Sequence, residues 1–355
     1  MPSRDRTLHV HAGPHKTAST WIQAGLERNR GLLLRQGLRY DTPWREHSHR
    51  HLARQLLAGG AAALEHWLRA RRGWDGDVLL SAEHLSRLIH GPEGLELLRR
   101  IAADEGWQLH VISFIRPQAA LINSYYAHTL ARLYASLAFA DYVRLQCLGH
   151  WPRPRPAARR QWIRLQPLSL DPEQRFAAVL AAAGRGELRA SFLPFPGGGV
   201  DPVQPLLQQL RIDGAGWRPP RWQDRNAPPG RRGLALALAV NRRLDGLGQR
   251  RSDLIQHHRL NHLAARIGTI ARHRGWIQER FDGWTPELRQ LVAATYDVAN
   301  QRFARQVWGG DWTMDGPPVV QVGTDVEPAL VIDSELEQLA DALLARWQRR
   351  HHRMA

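Results

Sequence analysis

Four apolar runs, interleaved with stretches of helical spacing, constrain the fold of this chain more than any other feature. Residues 7–12 alternate in part and suit a β-strand. Asp77-Val-Leu-Leu-Ser81 is a short buried-type run, Gln108 to Ile115 is a second, and Glu187 to Phe195 resembles another strand. Gly13-Pro14 breaks the first run, and helical spacing resumes over Thr20 to Gln36 through Trp21, Ile22, Leu26 and Leu33. Similar spacing recurs around 49–57, 61–71, 94–105, 118–132 and 171–184. Strands that alternate with helices need crossover connections. The pattern therefore predicts an α/β fold, a three-layer parallel sheet with helices around it. The C-terminal half reads as largely helical, at 234–247, 259–274, 286–303 and 333–353, with proline- and arginine-rich loops at 149–170 and 214–233. The expected organisation is one α/β domain over 1–310 and a C-terminal extension over 311–355. No fixed-period repeat occurs.

Composition bounds the function classes. With 355 residues and 43% hydrophobic content the chain can bury a large core. Its single cysteine, Cys147, excludes an internal disulfide framework and a cysteine-based zinc site, and fits a reducing compartment. No signal-peptide pattern follows the charged N-terminus, and no run of about 18 apolar residues occurs, so a cytoplasmic location is expected. A formal charge of +16 points to anionic partners: nucleic acid, acidic lipid, anionic glycan or a phosphorylated nucleotide.

Within that charge one residue stands apart. Of 49 Lys+Arg, only Lys16 is a lysine. A compact ammonium on a slim stem fits a tight phosphate-type pocket where a planar guanidinium does not. Lys16 lies at a strand–turn–helix junction, where unpaired backbone N–H groups and the positive end of the helix dipole favour phosphate or sulfate. The helix start adds the hydroxyls of Thr17, Ser19 and Thr20. The segment is not a Walker A loop: residue 15 is His, and Gly13 precedes Lys16 by only three positions.

Lys16-Thr-Ala-Ser-Thr-Trp21 resembles the 5′-phosphosulfate loop of sulfotransferases that use 3′-phosphoadenosine-5′-phosphosulfate (PAPS), and the flanking Gly-Pro-His and Ile-Gln-Ala-Gly-Leu-Glu-Arg-Asn are similar to its bacterial branch. Ala18 stands where that family usually carries Gly, a change that suits a negative φ. Phe114-Ile-Arg116-Pro through Ser124-Tyr-Tyr126 is similar to the family's 3′-phosphate loop. The resemblance covers residues 7–145 clearly. It implies a P-loop-like phosphosulfate turn, with Lys16, Thr17, Ala18, Ser19, Thr20 and Trp21 at the cofactor and Arg116 and Ser124 at its 3′-phosphate. Trp21 aligns with an adenine-stacking position, and a core tryptophan is the equal alternative. Arg231-Arg232-Gly233 is faintly similar to a further 3′-phosphate contact, and Asn226 is a weaker candidate.

Sulfuryl transfer needs a base for the acceptor's proton. Leu80-Ser-Ala-Glu83-His84 follows a strand end, where ligands of open parallel sheets bind. Glu83 is the favoured base, by its likeness to the glycan-directed branch, while capping of the next helix is its structural alternative. His84 and His15 are the other catalytic candidates. Lys16 would stabilise charge on the leaving 5′-phosphate oxygen. No metal is implied. The acceptor expected is a carbohydrate or glycoconjugate, with lipid-linked or peptidyl acceptors as alternatives, and loops 149–170 and 214–233 framing its entry. The C-terminal helix is amphipathic with a basic end, which suits packing on the core or peripheral contact with the inner face of a membrane. A nucleic-acid binder lacks any helix-turn-helix, RNP or zinc signature. It still accounts for the charge, and it stays open as an alternative beside a non-catalytic nucleotide-binding protein.

Overall fold

The computed structural model describes residues 6–42, 46–150, 169–196, 200–221, 228–248, 254, 260–314 and 330–352. Most of the 149–170 loop and residues 222–227, with Asn226, lie outside them. The chain divides into two compact units: Met1–Arg116 with Arg160–Asn226 and Ala299–Met314, and Pro117–Arg159 with Ala227–Val298 and Asp315–Ala355.

The first unit is α/β. Its sheet holds five strands in the order β2-β3-β1-β4-β5, all parallel: β1 (Thr7–His11), β2 (Leu38–Arg39), β3 (Asp77–Ser81), β4 (Gln108–Ile115) and β5 (Arg189–Pro194). Side chains alternate between faces because the strand period is two. Leu8 and Val10, Val78 and Leu80, and Leu109 and Val111 fall in one buried cluster, together with α3 (Arg50–Leu57), α4 (Ala62–Arg69), α6 (Pro92–Asp104) and α10 (Ala177–Gly184). Leu79, Ile112 and Phe114 fall in the other, with α1 (Ser19–Arg28), α2 (Arg30–Arg35) and α11 (Val203–Gln209). Helices thus cover both faces, giving the three layers that the alternating pattern predicts. On that second face β1 presents His9 and His11 instead of aliphatic residues, which is why it alternates in the sequence while β3 and β4 read as apolar runs.

Two departures have local causes. The single helix expected over 20–36 is broken at Asn29, whose amide nitrogen donates to the carbonyls of Gly25 (2.8 Å) and Arg218 (2.7 Å). Such a side chain competes with the helical ladder for backbone groups. The helix expected over 171–184 is likewise divided, at Phe176, into α9 (Pro172–Arg175) and α10, and Asp171 caps the first piece through the backbone N–H groups of Glu173 and Gln174.

The second unit is helical. It contains α7 (Gln118–Ala131), α8 (Phe139–Cys147), α12 (Gly230–Asp245), α13 (Asn261–His273), most of α14 (Pro286–Trp308) and α15 (Ser334–His352). Helix α12 begins within the segment expected to be loop, so Arg231, Arg232 and Gly233 form its first turn. Within the segment expected as a C-terminal extension, the amphipathic helix α15 is packed on α12. Arg243 binds Asp341 and Glu337, and Arg232 binds Asp333 at 2.9 Å and also Glu335. The apolar face of α15, with Leu336, Ala340, Leu343, Leu344 and Trp347, is buried, so that face is occupied by the protein itself. Among the described residues no helix is long and apolar enough to cross a membrane.

Candidate functional site

The register of the three central strands gathers their C-terminal ends. His11 of β1 is level with Ser81 of β3 and Ile112 of β4. Strand order reverses around β1, and crevices at such a switch point are where ligands of parallel sheets bind. His11 Nδ1 lies 2.8 Å from Ser81 Oγ, which also accepts from Gln23 Nε2 at 3.4 Å. His49, fully buried, accepts from Ser81 N at Nδ1 (3.1 Å) and donates from Nε2 to Asp41 O (3.1 Å). Burial pushes both His11 and His49 down to about 4, so both are neutral posts that fix the end of β3.

From β1 the chain runs through residues 12–18 into α1. This loop is tight and strained. Lys16 has φ +73° and Ala18 φ +55°, both left-handed, a conformation costing a residue with a side chain about 1–2 kcal/mol. Ala18 thus lacks the negative φ under which alanine fits without strain: position 18 is a corner that favours glycine, and this chain tolerates alanine there. Gly13 is needed for a different reason. A Cβ there would sit 2.9 Å from His11 Nε2, 3.1 Å from Thr17 Oγ1 and 3.2 Å from Ser19 Oγ.

The loop residues split into two roles. Thr17 is fully buried and its hydroxyl donates to Pro14 O at 2.7 Å, which closes the turn. In this arrangement the hydroxyl proton of Thr17 is committed to the turn. Ser19 is buried with Oγ unpartnered, as is His11 Nε2. Helix α1 has no side-chain N-cap and no acidic residue in its first turn. A start of this kind, with orphan N–H groups, a buried hydroxyl and a lysine one step before, suits an anion. Arg116, just beyond β4, donates from Nη1 to the carbonyl of Lys16 at 2.6 Å, and its guanidinium lies 5.2 Å from the ring centre of Phe195. Trp21 donates its indole N–H to Asp201 Oδ1 at 3.0 Å and packs, half-buried, on the cluster around Leu26 and Ile112.

Glu83 and His84 follow β3. The helix after them, α5 (Leu85–Leu88), has no side-chain cap, so Glu83 does not serve that purpose. Its carboxylate instead receives His15 Nδ1 at 3.0 Å. Burial would raise the Glu83 carboxyl, but the hydrogen bond from His15 and the electrostatic influence of His15, His84 and Lys16 outweigh it and hold the group well below the usual carboxylate range. Burial, followed by the charge of His15, pushes His84 down, so its ring is neutral near pH 7. The two imidazoles lie 5.8 Å apart, edge to face.

Beside this group opens a cleft of 280 Å³. Thr20 and Gln23 line it from α1, Glu83 and His84 from the end of β3, and Glu46, His47, Ser48 and Arg50 from the approach and start of α3. Sequence reasoning found three of these residues and missed Gln23, Glu46, His47, Ser48 and Arg50, which carry no motif. The remaining candidates belong to the second unit. Ser124 is half-buried on α7, Gly233 packs against Pro229 and Ala271, and Arg232 is engaged by Asp333 and Glu335. Arg231 donates its backbone N–H to Glu279 O at 2.7 Å. Among the described residues no three His, Cys, Asp or Glu side chains gather as a metal-ligand group. No family model, curated protein or solved structure matches the chain.

Proposed function

We propose that this protein is a PAPS-dependent sulfotransferase acting on a hydroxyl of a carbohydrate or glycoconjugate. The observation that carries the reading is the junction of β1 and α1. There a lone lysine, an uncapped helix start and the unpartnered Ser19 hydroxyl converge, with Arg116 bound to the same loop.

PAPS, when bound, supplies an activated sulfuryl group on a phosphate leaving group. The residues present fit its anionic ends. Lys16 and the N–H groups at the start of α1 would hold the 5′ side, with the Ser19 hydroxyl as a further donor. Arg116, whose guanidinium is bound to the same loop, would meet a second phosphate with its planar fork of N–H donors. Lys16 meets the charge that grows as the leaving oxygen separates, and preorganised donors are effective because they need not reorient during reaction.

Glu83 is the proposed proton acceptor, and His15 a positioning residue that fixes its carboxylate. A carboxylate of low basicity drives proton transfer weakly. That suffices if the transition state is loose, as in phosphoryl transfer, because the incoming hydroxyl then needs little activation until late. His84, neutral and on the cleft wall, would orient the acceptor.

The test has two arms. Calorimetry should show that 3′,5′-bisphosphoadenosine binds and that Lys16→Ala abolishes binding. Incubation with ³⁵S-labelled PAPS and cell extract should label a glycan fraction. Binding without labelling of any glycan, lipid or peptide fraction would support a non-catalytic nucleotide-binding protein, and no binding would remove the reading altogether.

A further inference from the structure

The whole chain is strongly basic, yet the cleft beside Glu83 is not. Two carboxylates, Glu46 and Glu83, face one guanidinium, Arg50, on its walls. Resting on the sulfotransferase reading, we propose that this cleft takes the acceptor as an uncharged, hydroxyl-rich ring of monosaccharide size, and that Glu46, Ser48 and Arg50 set that preference.

Size comes first. The cleft measures 280 Å³. That lies at the small end of ligand pockets and suits a single ring or one unit of a longer chain.

Charge comes next. A uronate or an already sulfated ring would bring its negative charge against Glu46 and Glu83. Like charges at contact in a partly dry cleft are costly, and such repulsion discriminates between ligands. An ammonium would meet Arg50, with Lys16 close enough to act on the Glu83 carboxyl.

Hydrogen-bonding capacity decides the class. Glu46 Oε2 is buried without a partner, and so is His84 Nδ1. The Glu46–Arg50 pair stands at 3.6 Å, longer than a direct hydrogen bond, so neither group is saturated by the other. Each sugar hydroxyl donates one hydrogen and accepts through two lone pairs. A ring of hydroxyls therefore serves carboxylate acceptors and guanidinium or amide donors together. A phenol or steroid would leave most of these groups unpaired.

The experiment uses the full chain, with and without 3′,5′-bisphosphoadenosine, and a panel of uncharged mono- and disaccharides, a uronate-bearing disaccharide and 2-naphthol. Binding is read by saturation-transfer NMR, and nucleotide binding by calorimetry on the same samples. The expected result is that at least one uncharged saccharide binds, more tightly than the uronate and 2-naphthol. The isosteric Glu46→Gln should weaken it by about tenfold and narrow the gap to the uronate, and Ser48→Ala, a smaller change, should weaken it without touching nucleotide affinity. Preference for the uronate or for 2-naphthol would overturn the proposal, as would failure of every uncharged saccharide. If the nucleotide fails to bind, the sulfotransferase reading falls instead, and that outcome is scored separately from the saccharide ranking.

Discussion

The guanidinium of Arg116 donates to the main-chain oxygen of Lys16 at 2.6 Å, although one hundred residues separate them in sequence. The contact joins the end of β4 to the loop after β1. It holds that loop from the side at the point where the backbone turns left-handed. A charged hydrogen bond of this kind contributes about 1.5–3 kcal/mol, roughly the strain of one such corner.

Arg116→Lys keeps the charge but loses the fork. We expect 3′,5′-bisphosphoadenosine affinity to fall by about 10–100-fold, with Arg116→Ala at or beyond the upper end. Lys16→Arg should also weaken binding, because a planar guanidinium does not reproduce the compact point charge of an ammonium. Calorimetric titration checks both, and unchanged affinity in Arg116→Ala would confine that residue to a surface role.

Ala18→Gly should stabilise the protein. It relieves about 1–2 kcal/mol of left-handed strain and gives back about 0.4–1 kcal/mol in unfolded-chain freedom, so the net gain is about 1 kcal/mol, within a range of about 0 to 1.6. For a chain of this length that is a rise in Tm of about 1–2 °C. Gly13→Ala should do the reverse, since its Cβ would press on His11, Thr17 and Ser19. Differential scanning calorimetry of the two variants gives opposite signs if the loop is as described.

Glu83→Gln should lower turnover by about 10²–10⁴-fold while leaving nucleotide affinity intact. His15→Ala tests the pairing through pH. In the native site, His15 is the leading influence holding the Glu83 carboxyl down, against burial. Without His15, burial raises that carboxyl, so the acid limb of kcat/KM should move to higher pH. The variant should lose more activity at pH 5 than at pH 7.5. An acid limb that does not move would take the proton-acceptor role away from Glu83.

Acid should unfold the protein through its buried imidazoles. His11 and His49 are held at about 4 by burial, whereas in the unfolded chain they titrate near 6.5. Between those values the unfolded state binds more protons, so stability falls as pH drops from about 6.5 to 4. Each contributes on the order of 3 kcal/mol across that window. Circular-dichroism melts from pH 7 to 4.5 should show a steep decline in Tm beginning near 6.5. A Tm that stays flat down to pH 5 would contradict neutral, enclosed rings.

Much of the first unit was legible in the sequence because its signals are periodic. Strands β1, β3, β4 and β5 are runs of apolar residues long enough to read, whereas β2 has two residues and exists only through pairing with β3. The break at Asn29 was hidden because the apolar spacing continues across it and the cause is a tertiary contact with Arg218. The nearness of Lys16, Glu83 and Arg116 to one sheet end followed from strand–turn–helix order. The pairing of His15 with Glu83, the burial of the Thr17 hydroxyl and the wall made by Glu46 and Arg50 did not. These depend on how loops fold back on the sheet, and no local pattern encodes that.

The lysine at the left-handed corner also gives the molecule a built-in reporter. Reductive methylation with ¹³C-formaldehyde can mark only this side chain and the α-amino group, since every other side-chain cation is an arginine or a histidine. Two methyl resonances would then represent all the amines of a 40.4 kDa protein, without isotopic enrichment of the chain. Any anion that seats itself beside the first turn of α1 should displace one of them and leave the other still.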